Sequence, residues 1–210
     1  MSVPSSLIRR YTTAERLNHW VVAVAFILAA LGGLALFHPY FFWLANLFGS
    51  GTWNRILHPF IGVIMFLSFL GLMARFWAYN RITDADRQWV RQIGDVIRNR
   101  EERLPEVGRY NAGQKYLFWA MVVTIPLLLI SGVIFWQPWF APYFPVVLIR
   151  MAVVVHAIGA FVLIAGIIVH IYAAIWTKGS IGAMTRGTVT RAWAKKHHPA
   201  WLRQIKGGNE

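Results

Sequence analysis

The chain has 210 residues, 57% apolar and 15% aromatic, with a formal net charge of +13 and no cysteine. Without cysteine it can carry no iron–sulfur cluster, no thioether-attached haem and no disulfide, so any metal is left to histidine. Its lysines and arginines flank apolar runs and form no nucleic-acid-binding motif; cytoplasmic loops facing anionic headgroups account for the charge.

In chain order, apolar runs predict membrane-spanning helices at 19–37, 56–77, 114–136 and 149–176. Each is near or above the ~20 residues that cross the hydrocarbon, and none contains Asp or Glu. Arg9, Arg10 and Arg16 precede the first run. That run has no small-residue cleavage site and three more spans follow it, so it reads as a retained helix rather than a signal peptide. The loop after span 1 (37–43) and the one after span 3 (137–143) are rich in aromatic residues and proline. Such rings suit the headgroup level, and clustered they also suit docking.

Between spans 2 and 3, Thr83 caps a predicted amphipathic helix with Asp84 and Asp86 in its first turn. Trp89, Val90, Ile93, Val96 and Ile97 share one face, opposite Arg87, Arg91, Asp95 and Arg98. A helix lying on the membrane and a solvated helix packed on the bundle both fit that pattern. Residues 108–114 form a turn into span 3, and the tail after Trp176 is polar and basic. There is no internal repeat. The predicted fold is all-α: a single integral membrane domain over 1–210, a four-helix bundle with that short cytoplasmic helix.

Orientation follows from the basic residues, because short loops rich in Lys and Arg stay cytoplasmic. Of the 21, only Arg55 and Arg150 fall on the side opposite the rest. Both termini are therefore expected in the cytoplasm.

Four histidines lie within or at the ends of the spans: His19, His58, His156 and His170. Span 1 enters from the cytoplasm and span 2 from outside, so His19 and His58 sit at opposite faces. On span 4, His170 lies fourteen residues beyond His156, ~21 Å deeper and within ~40° of the same side. Depth therefore pairs His58 with His156 and His19 with His170, the arrangement of two metal centres stacked across a membrane. Ionisable groups in a membrane are costly and usually functional. Two imidazoles on one haem iron leave no open position, which favours electron transfer over substrate chemistry. The stripe His156, Gly159, Leu163, Gly166, His170 falls within ~80°, and its glycines suit either clearance for a macrocycle or tight helix packing. Arg16 and Arg55 each precede a histidine by three residues. They, with Arg150, are placed to pair with haem propionates or to snorkel to headgroups. His38 reads as a loop residue, and His197 and His198 as tail residues open to weak metal binding.

The segments 10–12, 15–20, 55–60, 108–115, 170–174 and 192–199 resemble the cytochrome b (gamma) subunit of membrane-bound respiratory formate dehydrogenases. The similarity covers nearly the whole chain, although the cytochromes of hydrogenases and thiosulfate reductases share the general plan. The resemblance implies two b haems on the positions matching His58 with His156 and His19 with His170. It also implies a quinone, menaquinone or ubiquinone, reduced near the inner haem, where Asn111, Gly113 and Gln114 match the contact segment. From the residues alone that segment is a polar turn at a helix start. By the same resemblance, formate is oxidised on a separate molybdenum or tungsten (alpha) subunit, and an iron–sulfur (beta) subunit feeds the outer haem. The chain itself would be an electron relay in the bacterial inner membrane with no catalytic residue for formate. A relay serving another donor such as a hydrogenase stays open, as does, in a different class, a histidine-lined ion transporter, which the lack of intramembrane carboxylates disfavours.

Overall fold

Apolar runs of this length fold as helices in hydrocarbon because a helix satisfies its backbone N–H and C=O groups within its own segment. The computed structural model describes residues 6–98 and 100–207. A strand β1 (Leu7–Arg9) leads into α1 (Thr13–Phe37), a 3-10 helix (Pro39–Phe48), α2 (Gly51–Phe76), α3 (Asp84–Arg91) and α4 (Ile93–Ile97). Then follow α5 (Ala112–Ile134), α6 (Val146–Trp176), α7 (Ser180–Thr185), β2 (Thr188–Thr190), α8 (Arg191–His197) and α9 (Pro199–Gly207).

Helices α1, α2, α5 and α6 are long and apolar enough to cross a membrane. Each starts ahead of the apolar run that announced it, at 13, 51, 112 and 146 rather than 19, 56, 114 and 149. Hydropathy misses these first turns because polar caps build three of them. The Glu15 N–H donates to Thr12 Oγ1 at 3.2 Å, and the Thr12 N–H donates to Glu15 at 2.7 Å. Ser50 caps α2 through the Trp53 N–H, and Asn111 caps α5 through the Gln114 N–H.

The chain divides into two compact units. One comprises Leu17–Ala74 and Ala120–Ile168. In it the four long helices pack around Ala25, Met65, Phe69, Ile125, Leu128 and Leu163, so every helix contributes to one core. Val24, Ile64, Ile130 and Phe161 point outward and are exposed. In water such a surface would aggregate; facing lipid it costs nothing, and the fold is an all-α membrane helical bundle. The loop after α1 is more ordered than a sequence reading suggests. His38 accepts the Tyr40 N–H on Nδ1 at 3.2 Å and starts the 3-10 helix, whose Leu44 and Ala45 pack under Ala35.

The second unit holds the described residues of Met1–Arg16, Arg75–Trp119 and Val169–Glu210. Here the polar and basic tail folds. β2 pairs antiparallel with β1, Ile8 opposite Val189. Ile8, Tyr11, Tyr110, Ala183, Val189, Ala194 and Trp201 then form a core of their own. Gly187 makes the turn possible: its φ is +82°, and a Cβ there would lie 2.8 Å from the Tyr11 carbonyl oxygen. Isolated aromatic and small residues in a basic segment give no hydropathy signal, so this core shows only once the strands pair. The amphipathic helix appears as two pieces, α3 and α4, broken at Gln92. Val90, Ile93 and Ile97 are exposed along it, while Trp89 and Val96 are half-buried.

Candidate functional site

Within the bundle unit, His58 on α2 and His156 on α6 face each other, ring centres 6.2 Å apart and planes 65° apart. The His156 ring is fixed by its neighbours. The His156 Nδ1–H is shared by the Leu128 carbonyl at 3.0 Å and the Ser131 hydroxyl oxygen at 3.2 Å, both on α5. A carbonyl only accepts, so Nδ1 carries the proton and the Nε2 lone pair is left for a metal. Ser131 in turn donates to the Leu127 carbonyl at 2.6 Å, and Phe135 meets the His156 ring edge-on at 5.2 Å.

Glycines bring the backbones up to both imidazoles. A Cβ on Gly132 of α5 would lie 3.3 Å from His156 Cε1, and one on Gly33 of α1 would lie 3.3 Å from His58 Cε1. Gly32 is bound more tightly still: a Cβ there would come within 2.6 Å of Asn54 Oδ1. Asn54 is 0% exposed and donates from Nδ2 to the Gly32 carbonyl at 3.0 Å, fastening α2 to α1 one turn before His58. Sequence reasoning passed over Asn54 and Ser131. A signal exists for each: Ser131 is a polar residue inside an apolar span, and Asn54 stands just ahead of one, four positions before a histidine. Gly159, by contrast, is filled: a Cβ there would meet Leu128 at 3.2 Å, so it serves helix packing.

His19 lies on α1, half-buried and edge-on to Trp20 at 5.6 Å; His170 lies on α6, also half-buried. They belong to different compact units. Arg55 and Arg150 are exposed in the first turns of α2 and α6. Arg16 donates to the Thr185 carbonyl and to Thr13 Oγ1. Among the described residues no group of three or more His, Cys, Asp or Glu could hold a metal ion.

In the second unit, the segment containing Asn111, Gly113 and Gln114 is a helix start. The Asn111 N–H donates to Gln114 Oε1 at 3.0 Å, reciprocating the bond that caps α5. Both amide oxygens are thus used, and the two NH₂ groups remain as donors. Trp89 packs against Gly113, where a Cβ would lie 3.5 Å from its ring. Just before this segment the backbone is pinned from three sides. The Arg10 guanidinium donates to the Arg109 carbonyl, Arg109 Nη2 donates to the Arg10 carbonyl at 3.0 Å, and the His198 Nδ1–H donates to the Gly108 carbonyl at 2.7 Å.

Arg10 is 3% exposed and lies 4.3 Å from the Trp201 ring centre, with Tyr11, Tyr110 and Trp193 at 5.6–5.7 Å. A desolvated cation over aromatic faces gains about 2 kcal/mol or more per contact. His198 is also 3% exposed. Burial, then the Arg10 charge, pushes its pKa down to about 3. The tail histidine read as open to weak metal binding is a neutral, buried fastener.

The family known as prokaryotic cytochrome b561 matches residues 10–187. The chain belongs to this family. It is 49% identical over 201 residues to the Escherichia coli (strain K12) formate dehydrogenase cytochrome b556(fdo) subunit, covering 96% of this chain and 94% of that one. It is 42% identical over 202 residues to the nitrate-inducible formate dehydrogenase cytochrome b556(Fdn) subunit of the same organism, covering 96% and 93%. To the formate dehydrogenase cytochrome b556 subunit of Haemophilus influenzae it is 39% identical over 195 residues, covering 93% and 82%. A cytochrome b of this family carries haem b, and the residues present fit it. Two imidazole nitrogens bonded to one metal at about 2 Å each hold their ring centres roughly 6 Å apart, and His58 and His156 stand at 6.2 Å.

Proposed function

We propose that this chain is the cytochrome b subunit of a respiratory formate dehydrogenase, carrying electrons from an iron–sulfur partner to a quinone across a bacterial inner membrane. Both termini face the cytoplasm, and formate is oxidised on a separate molybdenum or tungsten subunit. The observation that carries the reading is the 6.2 Å spacing of the His58 and His156 rings, with the His156 Nδ1–H committed to a carbonyl. Near-complete coverage by formate dehydrogenase cytochrome subunits supports the choice of donor.

His58 and His156 hold one haem near the outer face, and His19 and His170 hold a second near the cytoplasmic face. Bound haem iron supplies reversible one-electron transfer. The protein supplies orientation. Leu128 and Ser131 fix the tautomer and plane of His156, Asn54 sets the height of α2 against α1, and Gly33 and Gly132 keep both rings close to backbone. Arg55 offers its guanidinium to a propionate one turn from His58. Arg16 does the same near His19, since its contacts with Thr185 and Thr13 leave further N–H donors. The amide NH₂ groups of Asn111 and Gln114, beside Gly113, donate to a quinone carbonyl.

A reduced-minus-oxidised spectrum with haem quantified per polypeptide tests this. Two b haems are expected, falling to one when His170 is exchanged for Ala, with quinone reduction lost. Retention of both haems and full turnover in that variant overturns the assignment.

A further inference from the structure

The turn bearing Asn111 lines a cavity of about 250 Å³ in the second unit. Its walls combine Trp89, Tyr110 and Asn111 with three charged groups, Asp86, Glu106 and Lys115. Lys115 and Asp86 form an ion pair there at 2.6 Å, with side chains only 11% and 8% exposed. Removing two charges from water is expensive, and a helix start gains little from it that an apolar pair would not give. The cost calls for a use.

The bonding pattern shows what remains available. Thr83 N–H, Thr83 Oγ1 and Lys115 Nζ all donate to Asp86 Oδ2, at 2.8, 2.7 and 2.6 Å. Burial alone would raise the Asp86 pKa, but these three bonds outweigh it and hold the group below the usual carboxylate value. Asp86 therefore stays ionised and acts as an anchor. Lys115 makes a second bond, to the Arg81 carbonyl at 3.1 Å. An ammonium has three N–H donors, so one is left over. At the rim, Glu106 is exposed and engaged by Arg203 of α9. A polar cavity of this size holds water.

We propose that this cavity is the proton inlet for quinone reduction, with Lys115 as the relay that passes protons toward the quinone at Asn111 and Asp86 as the residue that positions it. This rests on the quinone reading given above. Two electrons from the donor complex and two protons convert the quinone to a quinol. For each proton, the Lys115 ammonium releases one N–H proton through cavity water to the reduced quinone oxygen. The resulting amine takes a proton back from the aqueous side. Arginine cannot replace lysine in this role, because a guanidinium stays protonated and hands no proton on.

That difference supplies the test. In the intact membrane complex, Lys115→Arg keeps the cation beside Asp86 and so keeps the structural ion pair. Turnover with a soluble quinone is expected to fall roughly a hundredfold, with a larger rate ratio between H₂O and D₂O. The quinone KM and the haem absorbance per polypeptide stay as they were. Lys115→Met should show the same loss. An Arg variant as fast as the unaltered complex, with the same isotope ratio, overturns the inlet. Asn111→Leu is measured alongside: if it reduces quinone normally, the quinone reading falls and the inlet with it. If Asn111→Leu is impaired while Lys115→Arg is not, the inlet alone falls.

Discussion

Two histidines, His156 half-buried and His198 buried, use the same device in different settings. His156 and His198 each donate Nδ1–H to a backbone carbonyl, of Leu128 at 3.0 Å and of Gly108 at 2.7 Å. Around His156 the next titratable ring is His58, at 6.2 Å. Around His198 the neighbours are Trp193 at 4.9 Å and Trp201 at 6.3 Å, with the Arg10 cation close by. A carbonyl bond thus settles a tautomer but not a role. A second imidazole leaves two rings facing each other, whereas indole walls and a cation make a neutral fastener.

The largest effect expected from breaking this contrast is the loss of a cofactor. His58→Ala or His156→Ala should remove one of two haems per polypeptide, while His198→Ala should keep both. A His198 variant short of haem would erase the distinction. Next comes Arg10→Gln, which gives up the stacking on Trp201 and the bond to Arg109. Destabilisation by about 2 kcal/mol or more is expected, read as faster proteolysis of α8 and α9 with haem bands unchanged.

Acid should act on the same fastener. The folded pKa of His198, about 3, lies below its ordinary value near 6.5. The unfolded tail therefore binds a proton that the folded tail refuses. Stability is complete above about pH 6.5 and falls as pH drops toward 3, by about 1.4 kcal/mol per unit. Hydrogen exchange in residues 188–205 should rise across that window, and His198→Gln should flatten the dependence.

Smaller still are changes that only nudge the facing pair of imidazoles. Gly32→Ala forces a methyl against Asn54 Oδ1 and should cost about 1–3 kcal/mol, measured as a lower thermal midpoint. Ser131→Ala removes one of two acceptors for the His156 N–H and should cost about 1 kcal/mol. Its mark would be a shifted midpoint potential with full haem content. No shift at all would leave the Leu128 carbonyl as the only determinant of that ring.

The four spans were legible because hydrocarbon demands long uncharged runs, and a run of twenty apolar residues has few alternatives. Their starts were not, since Thr12, Ser50 and Asn111 announce a helix by hydrogen bonding rather than hydropathy. That His58 and His156 face each other followed from helix direction and depth. Asn54 and Ser131 did not, because a single polar residue in a span or just ahead of one looks alike whether it meets a ligand, a backbone or nothing. The second unit was least legible. Asp86 read as a first-turn acid, and only the packing of α3 against α5 made it the partner of Lys115. His198 read as a tail residue until strand pairing and α9 buried it.

By itself, then, the sequence determined what a one-dimensional pattern can carry: four apolar helices, the histidines they bear, and a metal chemistry without thiolate. Those follow from length, period and composition, which survive without knowing any neighbour. The tertiary structure alone decided which nitrogen of His156 stays free, why Gly32 must be glycine, and how the charged residues of the second unit are buried and paired. Each is a contact between residues far apart in the chain, and the energy of such a contact depends on what lies within a few ångströms.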